Sequence, residues 1–380
     1  MKAYFDHNAT TPLDERVLEA MLPFLKGSYG NASSRHDAGT RAREAVEVAR
    51  ARVATLVNVQ PAQVVFTSGG TEANNLFVRG MAAAGSPGRI AVSAIEHPCV
   101  MKPAQDLRRL GWTVRKLRVD ADGALDLVDL DAALTEPTAL VSVMLANNET
   151  GVIQPVAEAA ARVRRAGAWV HSDAVQALGK IPVDFEALGV HAITLSAHKL
   201  YGPKGVGALV VDKRLPLRPV IHGGGHEGGL RSGTLNVPGI VGFGAACELA
   251  AGRLDESARH SAALRDRLER ALAGLGAETF SSRVPRLPNT SYFSFRNIEG
   301  ETLVIELNKA GFAVASGAAC SSTSTDPSAT LLAMGVEEDL ARGAVRVSFG
   351  IGNTVGQVDE FVQALGAVVA RLRQLTAMAV

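Results

Sequence analysis

Two side chains that could do chemistry, Lys199 and Asp173, each lie directly after a short apolar segment typical of a buried strand. Lys199 follows the segment 192–196 and precedes a turn rich in glycine and proline at 202–205. Asp173 follows the apolar segment 169–172. A fixed amine can bond covalently to a carbonyl group, and a fixed carboxylate can hold a protonated ring nitrogen. Taken alone, each residue favours a structural interpretation, as a surface lysine beside a turn or an aspartate that caps a helix. The catalytic interpretation of the pair therefore depends on the other motifs.

A glycine-rich turn at 68–73 follows another apolar segment and opens a helical pattern. Small residues such as Gly70 let backbone N–H groups approach an anion, and the helix dipole adds to the attraction. An ordinary turn with Thr71 as the helix cap fits this stretch equally well. A phosphate site beside an amine and a carboxylate indicates pyridoxal phosphate (PLP), for which Lys199 would supply the Schiff-base amine and Asp173 the partner of the ring nitrogen.

Further polar residues follow predicted strands. His97 comes after the strand that ends at residue 93, where it could stack on a cofactor ring and move protons, although a lone histidine is more often structural. Asn148, in the segment 147–151, could bond to a ring hydroxyl and a substrate carboxylate, or belong to an asparagine-rich turn. Gln176 lies three residues after Asp173 and could reach the ring hydroxyl.

The C-terminal third contains a candidate nucleophile and a candidate carboxylate binder. Cys320 lies among Ser, Gly, Ala and Thr in the segment 315–327, which predicts an accessible thiol whose thiolate is reactive. Cys247 lies in an apolar helical segment and is the core cysteine by contrast, while Cys99, two residues from His97, is ambiguous. Arg346, on an alternating strand, could hold a carboxylate bidentately or be a surface residue.

The hydrophobic pattern predicts an α/β protein whose large domain has three layers and a mostly parallel sheet, with a smaller C-terminal α+β domain. Strands are predicted at 64–67, 89–93, 139–145, 169–172, 192–196 and 206–211, and helices at 40–57, 71–84, 101–110, 156–166 and 239–275. Alternation at 290–295 and 342–349 predicts antiparallel strands. The predicted large domain spans 13–250, and the small domain combines 1–12 with 251–380.

The bulk composition excludes several classes of protein. The 380 residues carry a net charge of +1 with interspersed signs, which gives no indication of a nucleic-acid partner. The apolar segments are short strands, so no membrane span is predicted, and the N-terminus lacks the pattern of a secretory signal. With three cysteines and no disulfide framework, we expect a cytoplasmic protein. His222 and His226 lack the acidic or cysteine neighbours of a metal site, so no metal is predicted.

With these motifs in place, the chain resembles the cysteine desulfurases of the NifS and IscS type, which are fold-type I PLP enzymes related to class V aminotransferases. The resemblance covers nearly the whole chain, from residue 5 to about 350. The residues that carry it are 5–12, 30–36, 68–74, 96–97, 147–151, 198–199, 231–234 and the segment around Cys320. It implies removal of sulfur from L-cysteine to give L-alanine, with transfer to an acceptor such as an iron–sulfur scaffold protein.

The resemblance also implies a role for each matching residue. Lys199 would carry the cofactor, His97 would stack on its ring, and Cys320 would take the sulfur as a persulfide. Asn148 and Arg346 would hold the substrate carboxylate, and Asn148 would contact the cofactor as well. The remaining cofactor contacts would be Gly70, Thr71, Asp173, Gln176, Ser196 and His198, with Thr234 supplied by the second subunit of a homodimer.

Other functions on the same scaffold remain open at this stage. Selenocysteine lyase or aminotransferase activity would use the same cofactor, but an aminotransferase does not need Cys320. A non-catalytic interaction protein of a sulfur pathway should have lost Lys199, Asp173 or Cys320, and all of them are present. Cys99 stands where the family usually has a small residue, so a second thiol is expected near the cofactor.

Overall fold

The computed structural model describes residues 1–317 and 326–378, with side chains described as far as residue 374. Its larger part alternates strands and helices. Strand β1 (Ala3–Tyr4) lies at the N-terminus and pairs with a strand of the C-terminal part. The strands of the larger part are β2 (Val64–Thr67), β3 (Arg89–Ser93), β4 (Thr113–Leu117), β5 (Leu140–Ser142), β6 (Trp169–Asp173), β7 (Ala192–Ser196) and β8 (Gly207–Val211). Its helices are α1 (Glu15–Lys26), α2 (Asp37–Leu56), α3 (Gly70–Ala84), α4 (Pro98–Asp106), α5 (Leu127–Leu134), α6 (Val156–Arg165), α7 (Phe185–Leu188) and α8 (Val237–Leu275).

Strands β2 to β8 form one seven-stranded sheet in the order β2-β8-β7-β6-β5-β3-β4. The strands β4, β3, β5, β6 and β7 pair in parallel, while β8 is antiparallel to both of its neighbours. Since parallel strands end at the same edge of a sheet, this order brings the ends of β6 and β7 side by side. The mostly parallel sheet predicted from the continuous apolar segments is confirmed.

The sheet separates two hydrophobic clusters, which makes the large part a three-layer structure. On β2, Val64 and Phe66 pack into one cluster, and Val65 packs into the other. The first cluster includes residues of α2, α6 and α8, and the second includes residues of α3 and α4. Helices therefore cover both faces of the sheet, as parallel sheets require.

The C-terminal part is an α+β structure with its own apolar cluster. Its sheet has the order β12-β13-β10-β9, and a separate parallel pair joins β1 to β11. The strands are β9 (Glu278–Thr279), β10 (Thr290–Ser294), β11 (Phe312–Ala313), β12 (Ala315–Ser316) and β13 (Val345–Ser348). The helices are α9 (Gly300–Lys309), α10 (Ala329–Ala333), α11 (Glu338–Arg342) and α12 (Val355–Met378).

Helix α8 connects the two parts without interruption. Phe243 and Cys247 near its start lie in the core of the large part, whereas Leu264 and Leu268 near its end lie in the C-terminal cluster. The predicted domain boundary at residue 250 falls inside this 39-residue helix. The division into two domains stays a prediction. By length and composition alone α8 could span a membrane, but 61% of its most apolar window is buried inside the protein, as in the core helix of a soluble protein.

Candidate active site

A cavity of about 250 Å³ lies at the carboxyl edge of the large sheet. It receives residues from the ends of β6 and β7, from the start of α3 and from the loops after β3 and β5. Ten of the residues singled out in the sequence line it: Gly70, Thr71, His97, Cys99, Asn148, Asp173, Gln176, Ser196, His198 and Lys199. Because the parallel strands end at one edge of the sheet, residues that are up to 129 positions apart in the sequence meet in this cavity.

Lys199 lies just after β7, in the short helical turn Ala197–Lys199. Its side-chain nitrogen donates hydrogen bonds to the backbone carbonyls of Asn8 and Ala9 at 2.5 and 2.7 Å. These carbonyls belong to the segment between β1 and α1, which crosses the site. The amine is thus held at the wall of the cavity by acceptors from the N-terminus of the chain.

Asp173, the last residue of β6, is 5% exposed. Its carboxylate accepts hydrogen bonds from the backbone of Val175 at 2.9 Å and from the amide of Asn74 at 2.7 Å. Burial raises the pKa of Asp173, and the two hydrogen bonds oppose that change. A buried carboxylate that is held by neutral hydrogen-bond donors favours the binding of a group that carries a proton and a positive charge.

One end of the cavity has the features of an anion site. Helix α3 begins at Gly70 after Gly69, which supplies no side-chain cap, so the cavity borders N–H groups that have no acceptor within the helix. A side chain at position 70 would come within 2.8 Å of Val175 Cγ2, so the close approach requires glycine. The buried hydroxyl of Ser196 also lines the cavity and has no hydrogen-bond partner in the described part of the chain. A phosphate fits these donors.

His97 caps α4, since its Nδ1 accepts a hydrogen bond from the backbone of Cys99 at 3.2 Å. The Cys99 sulfur lies 2.8 Å from the same nitrogen and 3.0 Å from the Asn74 amide. Burial lowers the pKa of His97, so the imidazole is neutral at neutral pH. Burial, together with the Asp173 charge, raises the pKa of Cys99 to about 12, which makes this thiol a poor nucleophile.

Gln176 and His198 are fixed by the N-terminal segment. The Gln176 amide donates to the carbonyl of Asn8 at 2.9 Å, and the His198 ring lies 3.1 Å from the hydroxyl of Thr10. Burial and the neighbouring Lys199 lower the pKa of His198 to about 4, so this ring is also neutral. Both side chains are therefore polar, uncharged wall groups of the cavity.

Arg346 lies on β13 and reaches the edge of the cavity at Asn148. Its guanidinium donates to the Asn148 carbonyl at 2.9 Å and pairs with the carboxylate of Asp6 at 2.7 Å. The residue is 6% exposed, and its buried Nε has no partner in the described part of the chain. The arginine is thus held in one orientation beside Asn148 by two charged or polar partners.

Besides Arg346, which reaches only the edge of the cavity, two predicted site residues are not among the described residues that line it. Thr234 is exposed and does not line it, as expected of a residue whose role was assigned to a neighbouring subunit. Cys320 lies outside the described residues, so its place relative to the cavity stays a prediction. The segment that contains it joins Gly317 of one described stretch to Asp326 of the next.

The sequence did not single out Asn8, Asn74 or Lys180. Asn74 is a fully buried polar residue on the otherwise apolar face of α3, and it joins Asp173 to Cys99. The available signal was a polar residue at a core position of an amphipathic helix. Asn8 and Lys180 gave no such signal, because their partners come from distant segments.

Comparison with known proteins identifies the family. The family model described as aminotransferase class-V matches residues 3–361, and the chain belongs to that family. "Cysteine desulfurase IscS" from Anaeromyxobacter sp. (strain Fw109-5) is 47% identical over 380 residues, which covers 98% of this chain and 94% of the relative. The resemblance stated from the motifs is confirmed.

Solved structures give the same result for the fold. A protein described as NifS-like matches with a TM-score of 0.92 and 41% identity, covering 97% of this chain and 100% of that one. "SspA in complex with cysteine" matches with a TM-score of 0.81 and 32% identity, covering 91% of this chain and 98% of that one. The predicted fold class, with its large mostly parallel sheet, is confirmed.

Proposed function

We propose that this protein is a PLP-dependent cysteine desulfurase, which removes sulfur from L-cysteine and leaves L-alanine. The observation that carries the proposal is the position of Asp173, at the end of β6, and of Lys199, just after the neighbouring strand β7, which line one cavity with the N-terminus of α3. The names of the related proteins support cysteine as the substrate.

The described residues fit the cofactor by chemical type. The start of α3, with Gly70 and Thr71, would hold the phosphate together with Ser196 and His198. Lys199 would form the covalent link, and the neutral His97 ring would lie against the cofactor ring. The unpartnered Ser196 hydroxyl supports this assignment, because a buried hydroxyl without a partner is costly unless a ligand satisfies it.

Bound in this cavity, PLP would withdraw electrons from the Cα of the substrate. Asp173 would hold a proton on the ring nitrogen, because its carboxylate is ionised when a positive charge lies against it. Asn74 keeps that carboxylate in place through its 2.7 Å hydrogen bond. Gln176 would donate to the ring hydroxyl and is already held by Asn8.

The substrate would be oriented by its carboxylate. Arg346 and Asn148 adjoin at the edge of the cavity, and the Arg346 guanidinium is already oriented by Asp6. His97, neutral and close to Lys199 and Asp173, is placed to transfer a proton at the substrate. These residues would therefore fix the orientation of the amino acid in the cavity.

Cys320 would take the sulfur. Its thiolate would attack the sulfur of the bound cysteine, so that an S–S bond forms while the bond between Cβ and sulfur breaks. The electron pair of the broken bond would remain on Cβ, where a proton converts it to the methyl group of alanine. Cys320 would then carry a persulfide for an acceptor, such as an iron–sulfur scaffold protein, in the cytoplasm.

The proposal is tested by comparing L-cysteine with L-selenocysteine as substrates. We expect the purified protein to release alanine from L-cysteine and to leave sulfur on the protein. Release of alanine from L-selenocysteine alone would show a selenocysteine lyase and would contradict the proposal. Amino-group transfer to a 2-oxo acid, with no sulfur released, would show an aminotransferase instead.

Asp173→Asn is expected to lower kcat by about 10²–10³-fold, because an amide cannot hold the ring nitrogen protonated and the electron withdrawal is lost. Cofactor binding should remain detectable by absorbance, since the phosphate contacts are unchanged. Asp266→Asn is the matched control, because Asp266 is exposed and, among the described residues, its ion pair is with its neighbour Arg265. Wild-type kcat in Asp173→Asn would contradict the assigned role.

We also infer a homodimer in which Thr234 completes the phosphate site of the partner subunit. Its exposure and its absence from the cavity of its own chain support this inference. Thr234→Ala is expected to weaken PLP binding by about fivefold, the effect of one hydrogen bond. Equilibrium dialysis measures the affinity, and sedimentation measures the assembly. A monomer with full cofactor affinity and activity would contradict the inference.

A further inference from the structure

Asn8 uses its whole set of polar groups to join separate parts of the chain. It lies between β1 and α1 and is 1% exposed. Its backbone N–H donates to the Ser348 hydroxyl at 2.9 Å. Its side-chain NH₂ donates to the Thr290 hydroxyl at 2.9 Å and to the Asn148 carbonyl at 3.2 Å, and its side-chain oxygen accepts from the Asn289 amide at 3.0 Å. Such a residue cannot shift without breaking several buried hydrogen bonds, so its backbone carbonyl is held in a fixed position.

That carbonyl faces the amine at the centre of the proposed function. Asn8 O accepts from Lys199 Nζ at 2.5 Å and from Gln176 Nε2 at 2.9 Å, and the next carbonyl, of Ala9, accepts from Lys199 at 2.7 Å. Carbonyl oxygens only accept hydrogen bonds, so this pair selects the N–H groups of an amine. The chain thus provides a defined acceptor site for the Lys199 amine.

Lys180 supports the same site from behind. Its amine donates to the side-chain oxygen of Gln176 at 2.8 Å and to the side-chain oxygen of Asn8 at 3.3 Å. Because Lys180 occupies the oxygen of the Gln176 amide, the NH₂ group of that amide must face Asn8. In the described part of the chain no carboxylate forms an ion pair with Lys180, and burial lowers its pKa well below the usual value.

Resting on the proposed function, we propose that Lys180 is a positioning residue for Lys199. It holds Asn8 and Gln176 so that the Asn8 and Ala9 carbonyls receive the Lys199 amine whenever that amine is not bonded to the cofactor. Lys199 would hold PLP, and the acceptors of this chain would keep its amine within reach of the cavity during turnover. A Lys199 amine that is held by hydrogen bonds beside the cavity reacts there faster than one that samples many rotamers.

The test uses cofactor-free protein and no substrate. Lys199 is acetylated with acetic anhydride across a range of pH, and its labelling rate is read from peptide mass spectrometry. In Lys180→Met the rate at the alkaline plateau is expected to rise about fivefold, because the amine is less tightly held. The exposed Lys204 of the same protein serves as the internal reference, and Lys213→Met, which changes an exposed lysine, is the matched control.

The alkaline plateau distinguishes positioning from a change in charge. A lost positive charge nearby would move only the pH midpoint of labelling, whereas a loosened amine reacts faster even when fully deprotonated. A shifted midpoint with an unchanged plateau would therefore overturn the proposal. So would an equal rise in the labelling of Lys199 and Lys204, which would indicate general unfolding.

Asn8→Ala removes the side-chain hydrogen bonds that hold the Asn8 carbonyl in place. This variant provides a second test if Lys180→Met does not fold. It is expected to raise the plateau by a similar factor. In the double variant the two effects should not add, because both act by releasing one carbonyl. Fully additive effects, or an unchanged plateau in Asn8→Ala, would overturn the proposal. Since no cofactor or substrate is present, either result is independent of whether the protein desulfurates cysteine.

Discussion

Lys199→Ala is expected to abolish covalent attachment of PLP and to lower alanine release from L-cysteine by about 10⁴-fold, the upper range for losing a positioned proton-transfer group. Among the described residues that line the cavity, Lys199 is the one that carries an amine. The nearby amine of Lys180 is engaged in hydrogen bonds to Asn8 and Gln176. Borohydride reduction of the wild type, followed by peptide mass spectrometry, should place the cofactor on Lys199.

The matched control is Lys213→Ala, which removes an exposed lysine and should retain both the cofactor and turnover. Noncovalent binding of PLP to Lys199→Ala is compatible with the account, because the phosphate and ring contacts remain. A borohydride-stable adduct on another lysine, with alanine still produced, would show that the assignment of Lys199 is wrong.

Cys320→Ser is expected to keep its bound cofactor while alanine release from L-cysteine falls by on the order of 10⁴-fold, as for loss of a nucleophile. A hydroxyl is a far weaker nucleophile than a thiolate at neutral pH and cannot form a persulfide. Cofactor binding is measured by absorbance, and alanine release is measured separately by a chromatographic assay.

Cys99→Ala provides the comparison, because Cys99 is the second thiol near the cofactor. Its pKa is raised to about 12 by burial and by Asp173, so it should not act as the nucleophile. We expect Cys99→Ala to still form a persulfide on Cys320. If Cys320→Ser desulfurated cysteine at the wild-type rate, the nucleophile would have to be another group.

The buried strands of the large sheet could be predicted because they are continuous apolar segments. The strands β2, β3, β5, β6, β7 and β8 all lie where the pattern placed them. Strand β4 was missed because it lies at the edge of the sheet, where Thr113, Arg115 and Lys116 are exposed and dilute the apolar signal. The predicted strand at 139–145 is longer than β5, because residues after 142 turn into the loop that carries Asn148.

For the helices, the apolar pattern predicted that they exist, but local capping and packing determine where they begin and end. The predicted helix at 101–110 is in fact α4, Pro98–Asp106, followed by a tighter turn through Leu110. Pro98 and the capping side chain of His97 start the helix earlier than its apolar pattern indicated. Helix α8 continues through residue 250 because its two halves are buried in different clusters.

The candidate site could be predicted as far as topology determines it. Side chains that follow parallel strands meet at one edge, and this rule brought Lys199, Asp173 and His97 to one cavity. It could not find Asn8 or Lys180, whose positions depend on contacts between distant segments. The reach of Cys320 to this cavity depends on residues outside the described part of the chain.

The most direct test exposes the wild-type holoenzyme to L-cysteine without an acceptor or reductant and analyses one turnover. We predict that alanine and protein-bound sulfur form in equal amounts and that mass spectrometry finds one added sulfur on the peptide containing Cys320. Alanine without protein-bound sulfur, or added sulfur on Cys99 alone, would contradict the account.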